Sequence, residues 1–277
     1  MTDPAGVRFT AALAQMRSGR DLGANVAAAE FLIREAHARG AQYVQTPEVT
    51  TLMELDRERL FAQTLPEAGN TALARFTELA RELRLWLHIG SMGIKVGDKL
   101  ANRSYVIAPD GRIAARYDKI HMFDVQLANG EIYHESANYA AGDKAVVADL
   151  PWGKLGLTIC YDVRFPKLHQ DLVNSGVAMI AVPAAFTRPT GEAHWHTLLR
   201  ARAIETQCFV LAAAQGGVHE HGRETYGHSL IISPWGTVLA EGGTEPGVVM
   251  AEIDLAEVAD VRARIPALAN ARGWQVR

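Results

Sequence analysis

Residues 157–166 read LTICYDVRFP. An apolar run closes on Cys160, polar residues follow, and Pro166 favours the first turn of a helix. The stretch is therefore expected to be a strand that ends at Cys160 and turns into a helix. Such a junction aims both a side chain and unpaired backbone N–H groups at one point. A thiol placed there can attack a carbonyl, and the N–H of Tyr161 can receive the resulting oxyanion. The competing interpretation is plain: free cysteine is among the most buried residue types and often packs as a small hydrophobe. Cys208 precedes FVLAAA without such a junction and reads as core.

The surroundings alternate strand and helix. VRFTAALAQ (7–15) reads as a strand, 21–39 as an alanine-rich helix with Asp21 near its start and Gly40 beyond its end, and AQYVQ (41–45) as a short strand broken by TPE (46–48). A helix over 70–83 and a strand over 85–91 follow. Hairpins are expected over 104–117 and 145–160, with Pro and Gly in their turns. A helix after Pro166 leads into VAMIAVPAAF (177–186), a helix over 191–207 and the buried strand CFVLAAAQ (208–215). The chain closes with SLIISPWGTVLAE, a strand near 247–253 and a helix starting near Asp254. SYVIAPDGRIAA begins at Ser104 and SLIISPWGTVLA at Ser229, with Ser, Pro, Gly and Ala at the same offsets. Two hairpins of one design predict two similar sheets, and two sheets covered by helices form a layered sandwich.

Bulk properties narrow the function. The 277 residues suit one large α/β domain or two small ones, and 48% hydrophobic with 21% charged residues is an ordinary globular balance. A formal net charge of −3 and no basic patch argue against a nucleic-acid partner. The apolar runs are of strand length, which argues against a membrane partner. MTDPAGVRFT lacks the regions of a signal peptide. Two cysteines argue against a disulfide framework, and a free thiol suits a reducing cytoplasm.

A cysteine nucleophile needs a base. The pairs His194/His196 and His219/His221 are candidates, although a helix flank and a polar loop explain them equally well. No cysteine or carboxylate stands at metal-site spacing beside them, so no metal is expected. Glu48 follows a strand directly, with Pro47 fixing the backbone before it. Lys119 lies in YDKIHMFD and Glu135 in YHESANYAAGD. Taken singly, each of these charges reads as a solvated group.

Taken together, TPE (46–48), YDKIHMFD (117–124) and ICYDVRFP (159–166) resemble, in order, the glutamate, lysine and cysteine motifs of the nitrilase (carbon–nitrogen hydrolase) superfamily. The resemblance runs from about residue 7 to 265. It implies one carbon–nitrogen hydrolase domain over 1–277. The implied fold is α/β, a four-layer αββα sandwich of two mixed sheets flanked by helices. It further implies a Glu48–Lys119–Cys160 triad acting without a cofactor, and a second active-site glutamate at Glu135, which either orients Lys119 or shares a proton with Glu48. Homodimers or higher homo-oligomers are implied as well.

Residues 184–215 and 225–242 resemble the Nit branch of amidases. That branch holds enzymes that hydrolyse deaminated glutathione to 2-oxoglutarate and cysteinylglycine. It also holds ω-amidases, which release ammonia from 2-oxoglutaramate or 2-oxosuccinamate. RARAIETQCFVLAAAQ and RETYGHS look more like the former. A 2-oxo acid needs a cationic clamp, and Arg164 is the candidate, since guanidinium pairs with carboxylate through two hydrogen bonds. A salt bridge from Arg164 to Asp162 or a neighbouring glutamate is the alternative. Phe186 and Thr187 are expected to line the pocket, with Phe186 otherwise a core residue. Segment 127–143 raises the question of a lid. Trp195, Leu198, Leu199 and Ala203 have the spacing of a core-facing helix, and the resemblance points its aromatic end at a second subunit. From other classes, a silent binding protein is opposed by the complete triad, and a thiol redox sensor would use the same Cys160.

Overall fold

Successive residues of strand β1 (Arg8–Gln15) face two different cores. Phe9, Ala11 and Leu13 point into a core shared with the second sheet, whereas Ala12 and Ala14, with Met16 beyond the strand end, pack under helices. This period of two is the pleat of a strand buried on both faces. The computed structural model describes residues 7–127 and 130–276. Of the segment 127–143, only residues 128 and 129 fall outside it.

The first half runs β1, α1 (Leu22–Ala38), β2 (Tyr43–Gln45), α2 (Arg57–Gln63), α3 (Thr71–Leu83), β3 (Trp86–Val96), β4 (Lys99–Ile107) and β5 (Ile113–Asp118). Asp21 caps α1 by accepting from the Ala24 N–H at 2.8 Å, and Asn70 caps α3 through the Leu73 N–H at 3.0 Å. Three short strands follow: β6 (Asp124–Gln126), β7 (Ile132–His134) and β8 (Tyr139–Ala140). The second half runs β9 (Val146–Leu150), β10 (Gly153–Leu157), α4 (Pro166–Asn174), β11 (Met179–Ala181), α5 (Arg188–Thr206), β12 (Phe209–Ala212), β13 (Gly216–Val218), β14 (Glu224–Tyr226), β15 (Leu230–Ile232) and β16 (Val238–Glu241). Strand β17 (Gly247–Asp254) then returns to pair with β1, and α6 (Ala256–Arg264) and α7 (Ala267–Asn270) follow.

One sheet has the order β17-β1-β2-β3-β4-β5, with β8 beside β4, and the other β9-β10-β11-β12-β15-β16. Read in these directions, the pairings match: antiparallel, parallel, parallel, antiparallel, antiparallel. The repeated hairpins are β4–β5 and β15–β16, in corresponding places. Each shifts register at the same offset, between Val106 and Ile107 and between Ile231 and Ile232. Each turns on a glycine in the left-handed region, Gly111 at φ 83° and Gly236 at φ 85°. Helices α1 and α3 cover one sheet, α4 and α5 the other, and the inner faces meet in a common core where Phe9 stacks on Trp152 at 4.2 Å. This is the expected αββα sandwich of two mixed sheets.

Two local expectations need correction. Strand β10 ends at Leu157, not at Cys160. Thr158 and Cys160 still donate to Ala181 O and Pro183 O, at 3.2 and 2.9 Å, but Asp162 takes the Ile159 N–H at 2.8 Å and pulls residues Cys160–Arg164 into a 3₁₀ turn. Trp195 is fully buried. It packs on Phe186 at 4.9 Å and donates from Nε1 to His228 O at 2.8 Å, so it is not available to a second subunit. Ile204, on the same helix, is exposed, as is Trp235 beside the Gly236 that lies against it.

Candidate active site

The sandwich brings three chain crossings to one point. Just beyond β2, Pro47 and Glu48 turn outward, and Val49 adopts φ 50°, rare for a β-branched residue. Beyond β5, Lys119 continues the sheet by donating its N–H to Asn102 O at 3.0 Å. Beyond β10, Cys160 opens the 3₁₀ turn at φ 49°. Non-glycine residues in the left-handed region cost energy and persist where their surroundings over-determine them. Here Val49 N–H is held by Ser91 Oγ at 2.9 Å and the Cys160 N–H by Pro183 O.

Lys119 is the hub. Its Nζ donates to Glu48 Oε1 at 2.8 Å and to Glu135 Oε2 at 2.8 Å and Oε1 at 3.1 Å. Asn102 Nδ2 joins the same two carboxylates, at 3.0 Å to each. The other Glu48 oxygen accepts the Ala185 N–H at 2.9 Å, and Glu135 Oε2 accepts the Phe123 N–H at 2.7 Å. Lys119, Glu48 and Cys160 are 2%, 5% and 7% exposed, so these charges interact with little screening by water.

That burial sets the resting proton positions. Burial pushes the Glu48 carboxyl up, but the Lys119 charge, with hydrogen bonds from Lys119, Cys160 and the Ala185 N–H, outweighs it and holds Glu48 below the usual range. Burial pulls Lys119 down, but Glu135 and Glu48 hold it well above its ordinary value. The Cys160 thiol is pushed well up by burial and by the Glu48 charge, which Lys119 only partly offsets. These directions favour an ionised Glu48, a charged Lys119 and a protonated Cys160 thiol beside Glu48 at neutral pH. Tyr161, second in the 3₁₀ turn, precedes the first bond of that turn, from Asp162 N–H to Ile159 O at 3.1 Å, so its own N–H is left for the cavity.

Asp162 holds the turn in place. Fully buried, it accepts from Ile159 N–H, from Tyr117 OH at 2.7 Å, and from the His121 N–H and Nδ1 at 3.1 and 2.6 Å. It makes no pair with Arg164. The Arg164 guanidinium lies 5.1 Å over Phe186 and 6.0 Å from Tyr161, with His194 Nδ1 3.4 Å away. It flanks the cavity without lining it.

The cavity, about 320 Å³, is lined by Glu48, Lys119, Glu135 and Cys160 together with Tyr161, Phe186 and Thr187. Asn102, Tyr139 and Arg223 are among the lining residues that escaped the sequence. Asn102 bridges both glutamates, Tyr139 helps to close the wall, and Arg223 enters from the loop between β13 and β14. None of the paired histidines lines it. His219 is tied to Ser18 O and Thr225 Oγ1 at 2.8 and 2.7 Å. Among the described residues, His196, His228 and Glu241 bring potential metal-ligating atoms within 4.8 Å of one another, but away from Cys160 and with both imidazoles bonded to one Glu241 oxygen. Cys208 is core, as expected, and both cysteines are free.

A duplicated α/β sandwich with cysteine, carboxylate and ammonium gathered at its strand ends defines a hydrolase class. The carbon–nitrogen hydrolase family model matches residues 10–263, and the chain belongs to that family. It is 41% identical over 266 residues to a deaminated glutathione amidase of Synechocystis sp., covering 94% of this chain and 97% of the relative. It is 34% identical to the human ω-amidase NIT2, with 95% of each chain covered. The crystal structure of the Caenorhabditis elegans NitFhit protein superposes with a TM-score of 0.90 at 37% identity, over 97% of this chain and 66% of that longer one. The Nit-branch resemblance and the enzyme class read from the motifs are those of these relatives. No helix among the described residues is long and apolar enough to cross a membrane.

Proposed function

We propose that this amidase hydrolyses deaminated glutathione to 2-oxoglutarate and cysteinylglycine, through a thioester on Cys160. The supporting observation is geometric: Cys160, the buried Glu48 and the Lys119 ammonium that donates to Glu48 at 2.8 Å all line one cavity with Tyr161. Glu48 takes the thiol proton as sulfur bonds to the amide carbon, and the carbonyl electron pair moves onto oxygen. Lys119 and the Tyr161 N–H hold that oxyanion. As it collapses, the C–N bond breaks and Glu48 gives its proton to the departing amine. Glu48 then takes a proton from water, whose oxygen bonds to the thioester carbon. Collapse expels sulfur, which recovers its proton. Glu135 and Asn102 keep Lys119 aimed. Arg164, at the flank of the cavity over the Phe186 ring, is the proposed partner of a 2-oxo-acid carboxylate that extends past that ring, and Phe186 and Thr187 shape the acyl pocket.

The reading draws on the deaminated glutathione amidases at about 40% identity, whereas the human relative favours a second reading, an ω-amidase releasing ammonia. Assaying deaminated glutathione and 2-oxoglutaramate side by side separates them. A kcat/KM at least tenfold higher for the first supports the proposal, and the reverse preference makes the enzyme an ω-amidase. We further take residues 7–265 to act as one domain, since both sheets share a core, and the protein to work as a cytoplasmic homodimer or higher oligomer in metabolite repair. Its two free cysteines suit that compartment.

A further inference from the structure

Arg223 carries more cation than its neighbours neutralise. Its Nη2 donates to Ala185 O at 2.9 Å, and its Nη1 reaches only the weak acceptor Met53 Sδ at 3.7 Å. Its Nε is buried without any partner. The guanidinium lies 5.4 Å over the Tyr133 ring, and no carboxylate among the described residues lies within ion-pair distance of it. A guanidinium stays charged at all working pH values, and a half-buried cation without a counter-ion is costly unless a ligand supplies one.

Its position says which part of a ligand that is. Ala185 accepts from Arg223 through its carbonyl and donates through its N–H to Glu48. Arg223 is thus one residue away from the carboxylate that must hand a proton to the departing amine. Arg164, by contrast, is reached across the Phe186 and Tyr161 rings.

We infer that Arg223 binds a carboxylate on the leaving group, so that the enzyme selects amides whose amine half is an acidic amino acid or dipeptide amine over those that release ammonia. This rests on the thioester mechanism and substrate class proposed above. In that reading the two arginines divide the substrate, Arg164 for the acyl carboxylate and Arg223 for the terminal carboxylate of cysteinylglycine. A two-bond guanidinium–carboxylate pair in a partly dry site is among the strong hydrogen-bonded contacts.

The test compares wild type, Arg223→Met and Arg223→Lys on deaminated glutathione, on the same molecule with its C-terminal carboxylate converted to an amide, and on 2-oxoglutaramate. Wild type is expected to lose about 30–100-fold in kcat/KM on amidation, mostly in KM, as a lost charge-assisted pair would give. Arg223→Met is expected to lose a similar factor on deaminated glutathione, to be indifferent to amidation, and to lose at least tenfold less on 2-oxoglutaramate. Lysine should restore part of the discrimination. Equal losses on all three substrates would reduce Arg223 to a support for the Ala185 carbonyl and overturn this inference alone. Turnover of 2-oxoglutaramate with none of either dipeptide amide would overturn the substrate proposal together with it.

Discussion

The two sheets share one pairing scheme but not one chemistry. In the first, the inner strands bury Tyr43, Gln45, His88 and Ser104, and His88 bridges Tyr43 OH at 2.8 Å and Ser104 Oγ at 2.7 Å. At the places matching Tyr43, Gln45 and His88 on the second sheet stand Met179, Ala181 and Leu211, while Ser104 is matched by the equally buried Ser229. Pro47 and Pro183 each follow the strand by two residues, but Glu48 comes next on the first sheet and Ala184 on the second. The polar sheet brings the charges, and the aliphatic sheet carries the thiol. Two copies of a framework have been given separate tasks, and the site exists only where their strand ends meet.

Breaking the division at its centre gives the largest effect. Cys160→Ala should lower kcat by at least ~10⁴-fold, as nucleophile removal does elsewhere, while thermal unfolding shows the fold intact. Lys119→Met should cost activity and stability together. It strands the buried Glu48 and the partly buried Glu135, a broken ion pair worth about 3–5 kcal/mol of unfolding free energy. Leu211→Ala is the contrasting change, about 2–5 kcal/mol from the cavity it opens, with kcat within roughly tenfold of wild type because it leaves every charge in place. Chemical denaturation run beside steady-state kinetics separates the pair. A loss of kcat in Leu211→Ala as deep as in Lys119→Met would dissolve the division of tasks.

Acid probes the polar interior. Burial holds His88 at about 3, His169 at about 4 and His219 at about 4, against 6.5 in an unfolded chain. Between these values the unfolded state binds more protons, so stability is full above about pH 6.5 and is lost as pH falls through 4 and then 3. Denaturant midpoints should hold from pH 7.5 to about 6.5 and then fall towards pH 4.5, and a flat profile over the acid half would contradict the buried neutral imidazoles. The smallest effect compares the hairpin turns. A Cβ on Gly111 would meet the Thr77 carbonyl oxygen at 2.9 Å as well as the Arg81 side chain, whereas one on Gly236 meets only the movable Ile204 side chain within 3 Å. Both Gly→Ala changes pay about 1–2 kcal/mol for the left-handed backbone, and Gly111→Ala should lower the melting temperature more.

The local parts of this molecule are legible in its sequence. Glu48, Lys119 and Cys160 each sit in a contiguous motif, and the two hairpins announce themselves through Ser, Pro and Gly at fixed offsets. Asn102 has no such signal. Its meaning comes from bonds to residues 54 and 33 positions away. Arg223 likewise looks like loop charge until the fold sets it against Ala185. The three-residue strands of β6–β7 and β13–β14 are too short to display a period of two. The end of β10 is hidden from sequence reading because Thr158 and Ile159 are buried whether or not they belong to the ladder, while the deciding contact, Asp162 to Ile159 N–H, is a polar one.

The proton resting on the Cys160 sulfur has a practical consequence. Peroxides and simple alkyl halides react with thiolates, and a thiol held protonated offers them little to react with. On the mechanism proposed above, a reagent that seats a carbonyl-like oxygen against Lys119 and Tyr161 sits where Glu48 can take the proton. Labels for this enzyme should therefore be shaped like its acyl group, and its resting state should ride out an oxidative burst that would silence an enzyme with a bare thiolate.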